Sequence, residues 1–259
     1  MKARMAIFYK YRFLLQNLIQ RDLRVKYRRS KLGVLWSVLN PLLMMVVMSA
    51  VFSFFFKSDI PNYPVYLLSG QLLFVYFVDS TSAAMASVIG SAALIKKVYV
   101  PKYIFPLEKS CFAFINMCFS MVALLLVMVV TGAKIPWTMP LALYPMLTLF
   151  GFCLGIGLFL ASSAIFFRDI MHLWTVFTTA LMYATPIFYP VTILEGTIME
   201  TLIKLNPMYW YVGTFRRIMV DGLLPLPSQL IVCALCAIVA MVVGLKTFKD
   251  GQDKFILFI

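Results

Sequence analysis

The residues that could carry covalent or metal chemistry are few and scattered. His172 is the only histidine in 259 residues, and all five cysteines fall in apolar stretches, where cysteine behaves as a small hydrophobic side chain. Cys233 and Cys236 form a C-x-x-C pair, but no second pair of cysteines or histidines is near enough to complete a zinc site. The sequence has no G-x-x-x-x-G-K-[ST] phosphate-binding loop. We therefore predict a chain without catalytic residues, bound metal or cofactor of its own.

One acidic residue stands out because of its surroundings. Asp79 lies inside a long apolar stretch, and a charged side chain at the centre of a membrane helix costs about 2.5–3.5 kcal/mol or more. We predict that Asp79 faces the interior of a helix bundle and contacts a hydrophilic substrate or a neighbouring subunit. The alternative is that its helix is longer than the membrane is thick, with Asp79 near one end.

The composition explains why such side chains are rare. Hydrophobic residues make up 63% of the chain and charged residues 13%, against about 45–50% and about 25% in soluble domains. A net charge of +13 would suggest a nucleic-acid partner for a soluble protein, but this composition excludes that class. The apolar stretches do not alternate as barrel strands would, so we predict an all-α membrane protein.

Six apolar stretches are long enough to cross about 30 Å of hydrocarbon as helices. They are residues 35–56, 65–95, 112–130, 141–167, 173–190 and 230–248. With these boundaries, 18 of the 23 basic residues fall on one side of the membrane and five on the other. The positive-inside rule then puts both termini in the cytoplasm, in agreement with an even number of spans.

Two further segments complete the predicted architecture around a transmembrane domain at 34–259. Residues 1–33 combine bulky apolar and basic residues at helical spacing, which favours an amphipathic helix in the cytoplasmic headgroup layer over a simple topology signal. Residues 193–224 contain two short apolar stretches separated by Asn206 and Pro207. They predict two half-helices that re-enter the membrane from outside, or else an amphipathic pair on the outer surface.

Small and aromatic residues indicate how the helices pack and what they line. Gly151 and Gly155 form a G-x-x-x-G pair, which lets helices approach closely within a subunit or across a dimer. Aromatic residues concentrate where the outer end of a pore would lie. Their faces can stack on sugar rings, although an interfacial aromatic belt gives the same pattern. The predicted channel aromatics are Tyr183, Phe188, Tyr189, Tyr209, Trp210 and Tyr211.

Three stretches occur in an order and spacing that cover most of the chain. They are RDLRVKYRRSKLG at 21–33, followed by LW at 35–36 and LNP at 39–41; LIKKVYVP at 94–101, followed by IFPL at 104–107; and FRDI at 167–170, followed by TPIFYP at 185–190 and LNPM at 205–208. Together they resemble the ABC-2 type permeases that export O-antigen, teichoic acid and capsule polysaccharides.

The resemblance implies a homodimeric permease in the bacterial inner membrane that moves a glycan linked to undecaprenyl diphosphate. Two ATP-binding subunits, which bind ATP and Mg²⁺, would dock on its cytoplasmic side. By similarity, residues 96–106 form the coupling helix, and the half-helices at Asn206 and Pro207 form the outer gate. The coupling residues implied are Lys96, Lys97, Tyr99, Pro101 and Phe105.

The basic residues near the end of segment 1–33 are expected to attract the diphosphate of such a substrate. These residues are Arg24, Lys26, Arg28, Arg29 and Lys31. Two rival functions are an ABC-2 permease for a drug or other small hydrophobic molecule, and a membrane transferase acting on lipid-linked sugars. A transferase would need an acid or base pair, for which only Asp169 and His172 are close enough; a capped helix start explains that pair more simply.

Overall fold

The computed structural model describes residues 2–28, 30–56, 60–194 and 196–258, with side chains throughout these ranges except at 2–8, 10, 27 and 53–56. Within them every regular element is helical, as predicted. The helices are α1 Lys2–Tyr27, α2 Trp36–Phe56, α3 Tyr63–Gly90, α4 Ala92–Ile95, α5 Ile104–Val130, α6 Leu143–Phe166, α7 Ile170–Ala184, α8 Ile198–Lys204, α9 Pro207–Met219, α10 Pro227–Gly251 and α11 Phe255–Phe258. Short 3-10 turns occupy Gly33–Leu35, Met139–Ala142, Val191–Leu194 and Gln252–Lys254.

Five helical stretches of the described chain are long and apolar enough to cross a membrane. They are Gly33–Phe52, Tyr63–Gly90, Ile104–Val130, Met139–Phe166 and Pro227–Phe258. The predicted span at 173–190 differs, because α7 has 15 residues and covers only about 22 Å at 1.5 Å per residue. Thr185 has an extended backbone (φ −102°, ψ 132°), as expected before a proline, so Pro186 ends the helix.

The predicted coupling helix at 96–106 is also corrected. Within 96–106 only the first turn of α5, from Ile104, is helical, and the four-residue α4 ends before this segment at Ile95. Residues 96–103 form turns and irregular backbone between them. Pro101 lies in this connection, where its missing N–H removes a donor that a continuous helix would need.

Helices α3 and α6 form the buried centre, and α10 packs along α6 at very short range. A Cβ built on Gly155 would lie 2.3 Å from the backbone of Ala240, and one on Gly244 would lie 2.0 Å from the Gly155 carbonyl oxygen. Only glycine fits at this crossing. The predicted close approach of small residues on α6 is therefore confirmed, within the chain and against α10.

Helices α6 and α10 run parallel. The Tyr144 hydroxyl donates to the Leu230 carbonyl (2.8 Å) near both helix starts, and the Ser162 hydroxyl donates to the Thr247 carbonyl (3.3 Å) near both ends. The chain therefore returns along the bundle between them, through α7 and residues 185–190.

The bundle has two ends, which we call the α1 end and the α9 end after the helices that lie there. At the α1 end, α1, the 92–103 connection and the chain's last helices share one apolar cluster that includes Leu18, Val100, Phe105, Phe248 and Phe255. At the α9 end, α9 packs against the first half of α3 and the start of α10. All candidate functional features lie at these ends or between them.

Candidate functional site

A charged side chain is buried where α9 meets α3 and the bend after α7. Arg216 is only 7% exposed. Its Nε donates to Ser69 Oγ (3.3 Å), its Nη1 to the carbonyl of Pro186, and its Nη2 to the carbonyls of Tyr66 (3.0 Å) and Ile187 (3.1 Å). The guanidinium also lies 3.5 Å from the centre of the Tyr66 ring. These contacts compensate for burying the charge and join three parts of the chain, and we call them the Arg216 clamp.

The clamp depends on a glycine and on two tyrosines of α3. A Cβ on Gly70 would lie 2.6 Å from Arg216 Nη2, so the absence of a side chain leaves room for the guanidinium. The Tyr63 hydroxyl donates to the carbonyl of Phe188, and that of Tyr66 to the carbonyl of Tyr189, both at 2.9 Å. Side chains of α3 and α9 thus satisfy carbonyls that residues 185–190, outside any helix, cannot satisfy themselves.

The predicted gate residues lie at the junction of α8 and α9. Asn206 Oδ1 accepts from the Met208 amide (2.9 Å) and caps α9, while Pro207 occupies the first helical position. Asn206 Nδ2 donates to Thr185 Oγ1 (2.8 Å). The break between the two short helices is therefore tied directly to the point where α7 ends.

A cavity of about 540 Å³ lies beside the clamp and is called the α9-end cavity. Aromatic and polar side chains line it together, and such a mixed lining suits an amphipathic ligand surface. Its lining includes Asn62, Tyr66, Tyr209, Trp210, Asp221 and Gln229. Gly213 also lines it, and a Cβ there would meet no atom within 4 Å.

The predicted channel aromatics fall into different environments. Tyr209 and Trp210 line the α9-end cavity, and Trp210 Nε1 donates to the Lys204 carbonyl (2.8 Å). Tyr183 is 63% exposed on α7. Tyr189 is half-buried, and its hydroxyl donates to the carbonyl of Tyr183 (2.9 Å).

The other two aromatics are buried in the protein. Tyr211 has no exposed surface, donates to the Cys233 carbonyl (2.7 Å) and packs against Phe152, so the prediction that it lines a channel was wrong. The reason is helix rotation, since the residue after Trp210 points toward α6 and α10. Phe188 is 8% exposed and stacks on Phe52, with the ring centres 5.5 Å apart.

The basic residues predicted to meet a diphosphate lie at and after the end of α1. Arg24, Lys26, Arg28 and Lys31 have exposed side chains, and Arg29 lies outside the described residues. Lys26 Nζ also donates to Asn116 Oδ1 (3.1 Å) on α5.

An ion-pair cluster fixes α1 to α5. Asp22 accepts from Arg21 Nε (3.0 Å) and from Lys109, and Lys109 also pairs with the buried Glu108 (3.3 Å). Burial raises the pKa of Asp22, but hydrogen bonds and charge from Lys109 and Arg21 outweigh it, so this pKa lies below its usual range. The carboxylate therefore stays ionised at neutral pH and keeps α1 in place.

The residues predicted to couple to an ATPase divide into exposed and buried members. Lys96, Lys97 and Tyr99 are exposed, and Tyr99 is the most accessible at 90%. Pro101 is half-buried, and Phe105 is 2% exposed in the apolar cluster of the α1 end. Phe105 can therefore anchor the connection but not contact a partner. Lys96, Lys97, Val98 and Tyr99 are called the α1-end surface.

Asp79 lines a second cavity, of about 370 Å³, between α2, α3 and α5. Its side chain is exposed to this space, and Lys26 and Asn116 line the same space. We call it the mid-bundle cavity. Asp79 lies inside α3, which ends at Gly90, and its depth in the membrane stays a prediction.

The matches with known proteins cover nearly the whole chain. The ABC-2 type transporter family matches residues 14–220. The O-antigen export system permease protein RfbA of Myxococcus xanthus is 30% identical over 251 residues, which cover 95% of each chain. The protein of the same name from Klebsiella pneumoniae is 26% identical over 244 residues, 93% of each chain. The capsule polysaccharide export inner-membrane protein CtrC of Neisseria meningitidis is 23% identical over 177 residues, 66% of each chain.

This chain belongs to the ABC-2 type transporter family. The resemblance carried by the three sequence stretches is thereby confirmed. An ABC-2 type chain is the multi-pass permease subunit of a membrane transport system, in agreement with five described helical stretches of membrane-spanning length.

Sequence reasoning on this ABC-2 type chain missed Arg216. The topology prediction includes Arg216 among the five basic residues on the outer side, and it assigns this arginine no other role. Its position was informative, because Arg216 follows Val212 by one helical turn and Tyr209 by two, on a face of α9 that is otherwise apolar and aromatic. Arg217 is turned away from this face and donates to the exposed carbonyl of Leu224 (2.8 Å). A charged residue on an apolar face could have identified the clamp.

Proposed function

We propose that this chain is the permease subunit of an ABC exporter for a polysaccharide linked to undecaprenyl diphosphate. Two copies form the channel in the bacterial inner membrane, and two separate subunits bind ATP and Mg²⁺. The observation that carries the proposal is the end-to-end match with permeases named for O-antigen export, together with the capsule-export relative.

The course of the chain supports six membrane crossings with both termini in the cytoplasm. Helices α6 and α10 are parallel, so α7 and residues 185–190 must bring the chain back across the bundle between them. They count as a sixth crossing beside the five long helical stretches. Most of the basic residues lie toward the α1 end, which the positive-inside rule makes cytoplasmic.

This orientation puts the α1-end surface where an ATP-binding subunit would dock. Tyr99 is 90% exposed there beside two lysines, although a large aromatic side chain gains by burial. The connection beneath it is fixed, since Tyr11 donates to the Tyr99 carbonyl (3.3 Å) and Phe105 is held in the apolar cluster. A partner that moves the α1-end surface therefore also moves α1, through Tyr11, and α5, through Phe105.

Exposed polar residues of α7 supply a wall for a channel between two copies. Thr175, Thr179 and Tyr183 repeat every four residues and are exposed. A hydroxyl-bearing face suits a hydrophilic polymer, and a second copy facing it would enclose the path. The Asn206 bond to Thr185 and the Arg216 clamp connect this helix to α8 and α9, which we propose as the outer gate.

The alternative is an ABC-2 permease for a drug or other small hydrophobic molecule. It would share the fold but require an apolar binding space. Both cavities combine aromatic with charged and amide side chains, which favours a glycan.

The test is purification of the tagged chain in mild detergent, followed by identification of the subunits that accompany it and an ATPase assay. We expect a stoichiometric ATP-binding subunit whose hydrolysis changes with lipid-linked glycan. Tyr99→Ala should weaken its retention by about tenfold or more, as expected for an exposed aromatic hot spot, while Trp137→Ala should not. Trp137 is 75% exposed and lies away from the α1-end surface.

Three results would count against the proposal. A homogeneous chain without an ATP-binding subunit would remove the ABC exporter. Hydrolysis that responds to hydrophobic drugs and not to lipid-linked glycan would favour the alternative. Equal losses from Tyr99→Ala and Trp137→Ala would move the docking surface elsewhere.

A further inference from the structure

The mid-bundle cavity contains hydrogen-bond acceptors that the protein leaves without donors. The Gln71 Oε1 atom is buried and has no hydrogen-bond partner. Among the described residues, Asp79 forms no hydrogen bond or salt bridge, although its carboxylate lies in a helix of membrane-spanning length. Leaving the buried Gln71 oxygen without a donor destabilises the protein, and the Asp79 carboxylate is open to the cavity. Donors from outside the protein are needed to satisfy them.

The arrangement of these acceptors limits what could provide the donors. Gln71 and Asp79 are eight positions apart on α3, or about 12 Å along the helix at 1.5 Å per residue, and both line the cavity. An ionised carboxylate and an amide oxygen accept hydrogen bonds and donate none. A ligand that satisfies both carries hydroxyl groups spread over a similar length.

The other side of the cavity has a cation and an aromatic ring. Lys26 lines it from the end of α1, where its Nζ donates to Asn116 Oδ1. Trp36, at the start of α2, is 42% exposed and lines the same space. The ammonium suits an anionic group, and the indole face suits the C–H face of a sugar ring.

We infer that the mid-bundle cavity binds the sugars next to the diphosphate of a lipid-linked glycan. Asp79 and Gln71 accept hydrogen bonds from sugar hydroxyls, and Trp36 packs against a ring. Lys26 binds the diphosphate beside them. This inference rests on the proposed function and adds a sugar-binding site inside the bundle to it.

The experiment measures binding of two probes to the purified permease complex in nanodiscs. One is a polyprenyl diphosphate carrying a disaccharide, and the other is the same polyprenyl diphosphate without sugar. Because one hydrogen bond to a charged group is worth about tenfold in affinity, we expect the sugar-bearing probe to bind at least about tenfold more tightly. Several disaccharides are compared, so that one unsuitable sugar does not decide the result.

Variants separate the two parts of the site. Asp79→Leu and Gln71→Leu should each reduce the preference for the sugar-bearing probe, and together they should abolish it. Asp79→Asn, which keeps an acceptor, should retain part of it. Lys26→Gln should weaken both probes by the same factor. Asp250→Asn removes an exposed carboxylate near the end of α10 and should change neither.

Two results would overturn the inference while leaving the proposed function intact. Equal binding of all sugar-bearing and sugar-free probes by the unaltered complex would show that water alone fills the cavity. A preference that survives the Asp79→Leu, Gln71→Leu double variant would place the sugar elsewhere. A complex that binds neither type of probe would contradict the proposed lipid-linked substrate as well.

Discussion

Arg216 and Asp79 are two charged side chains inside the same bundle, but their surroundings are opposite. Arg216, beside the α9-end cavity, is almost fully buried, and its guanidinium donates to four protein oxygen atoms. Asp79, in the mid-bundle cavity, is exposed to that space and has no hydrogen bond or salt bridge among the described residues; only the charge of Lys26, across more than 4.0 Å, attracts it.

The difference separates two uses of a costly charge. A charge whose partners are all supplied by the chain stabilises one conformation, and removing it leaves those partners unpaired. A charge to which the chain supplies no hydrogen-bond donor adds little to the stability of the empty protein and leaves its hydrogen-bonding capacity for a ligand. The Arg216 clamp is therefore expected to be structural, and Asp79 to act in binding. The predictions below test this contrast through thermal stability.

The largest loss is expected for Arg216→Leu. It leaves the Ile187 carbonyl without its donor and the Pro186 carbonyl with only the Tyr66 hydroxyl, at 3.4 Å. A buried carbonyl left unpaired costs about 1–3 kcal/mol, and the contact of the guanidinium with the Tyr66 ring is lost as well. We expect little or no monodisperse complex after purification, measured by size-exclusion chromatography and thermal unfolding. Arg217→Leu is the matched control, because Arg217 makes one exposed bond. If both variants purify and unfold like the unaltered protein, the clamp does not hold the fold together.

A smaller loss is expected for Gly70→Ala. The added Cβ would lie 2.6 Å from Arg216 Nη2, and displacing a packed group usually costs about 1–3 kcal/mol. Gly213→Ala is the opposite case, since its Cβ meets no atom within 4 Å and alanine favours a helix by up to about 1 kcal/mol. The unfolding midpoints should move in opposite directions, downward for Gly70→Ala. A downward shift of equal size in both would show that the loss does not come from the contact between Gly70 and Arg216.

The helical framework could be predicted from sequence because it depends on the length of apolar stretches and on the residues that begin or end helices. Asn206, Pro207 and Gly222 mark the ends of short helices, and Gly222 takes the positive φ (68°) that favours glycine. The end of α7 at Ala184 was missed, although Pro186 signals it. The apolar composition of 173–190 outweighed that local signal.

The contacts of individual side chains could not be predicted, because they depend on how each helix is rotated. Tyr209 and Tyr211 are two positions apart on α9, yet one lines a cavity and the other is buried against Phe152. The same limit hid the difference between Arg216 and Arg217. Gly155 indicated a close helix crossing, but nothing in the sequence named α10 as the partner helix.

Tyr66→Phe should reduce the free energy of unfolding by less than Arg216→Leu or Gly70→Ala does. The phenylalanine keeps the ring beneath Arg216 and loses only the hydroxyl that donates to the Tyr189 carbonyl (2.9 Å). One such hydrogen bond contributes about 0.5–1.5 kcal/mol. Tyr183→Phe is the control, because Tyr183 is 63% exposed and its hydroxyl has no recorded partner among the described residues. Equal unfolding midpoints for the two variants would show that the tie between α3 and residues 185–190 is weak.

The smallest change in stability is expected for Asp79→Leu, even though this variant should impair sugar binding. Replacing an unpaired carboxylate by an apolar group removes its desolvation cost and breaks no bond within the described protein. The unfolding midpoint of the ligand-free complex should therefore stay unchanged or rise, within about 0.5 kcal/mol. The sugar-bearing probe should raise the midpoint of the unaltered complex more than that of the variant, because a ligand stabilises the state it binds. A ligand-free midpoint that falls further than that of Tyr66→Phe would mean that Asp79 already has a structural partner, and the contrast with Arg216 would then be wrong.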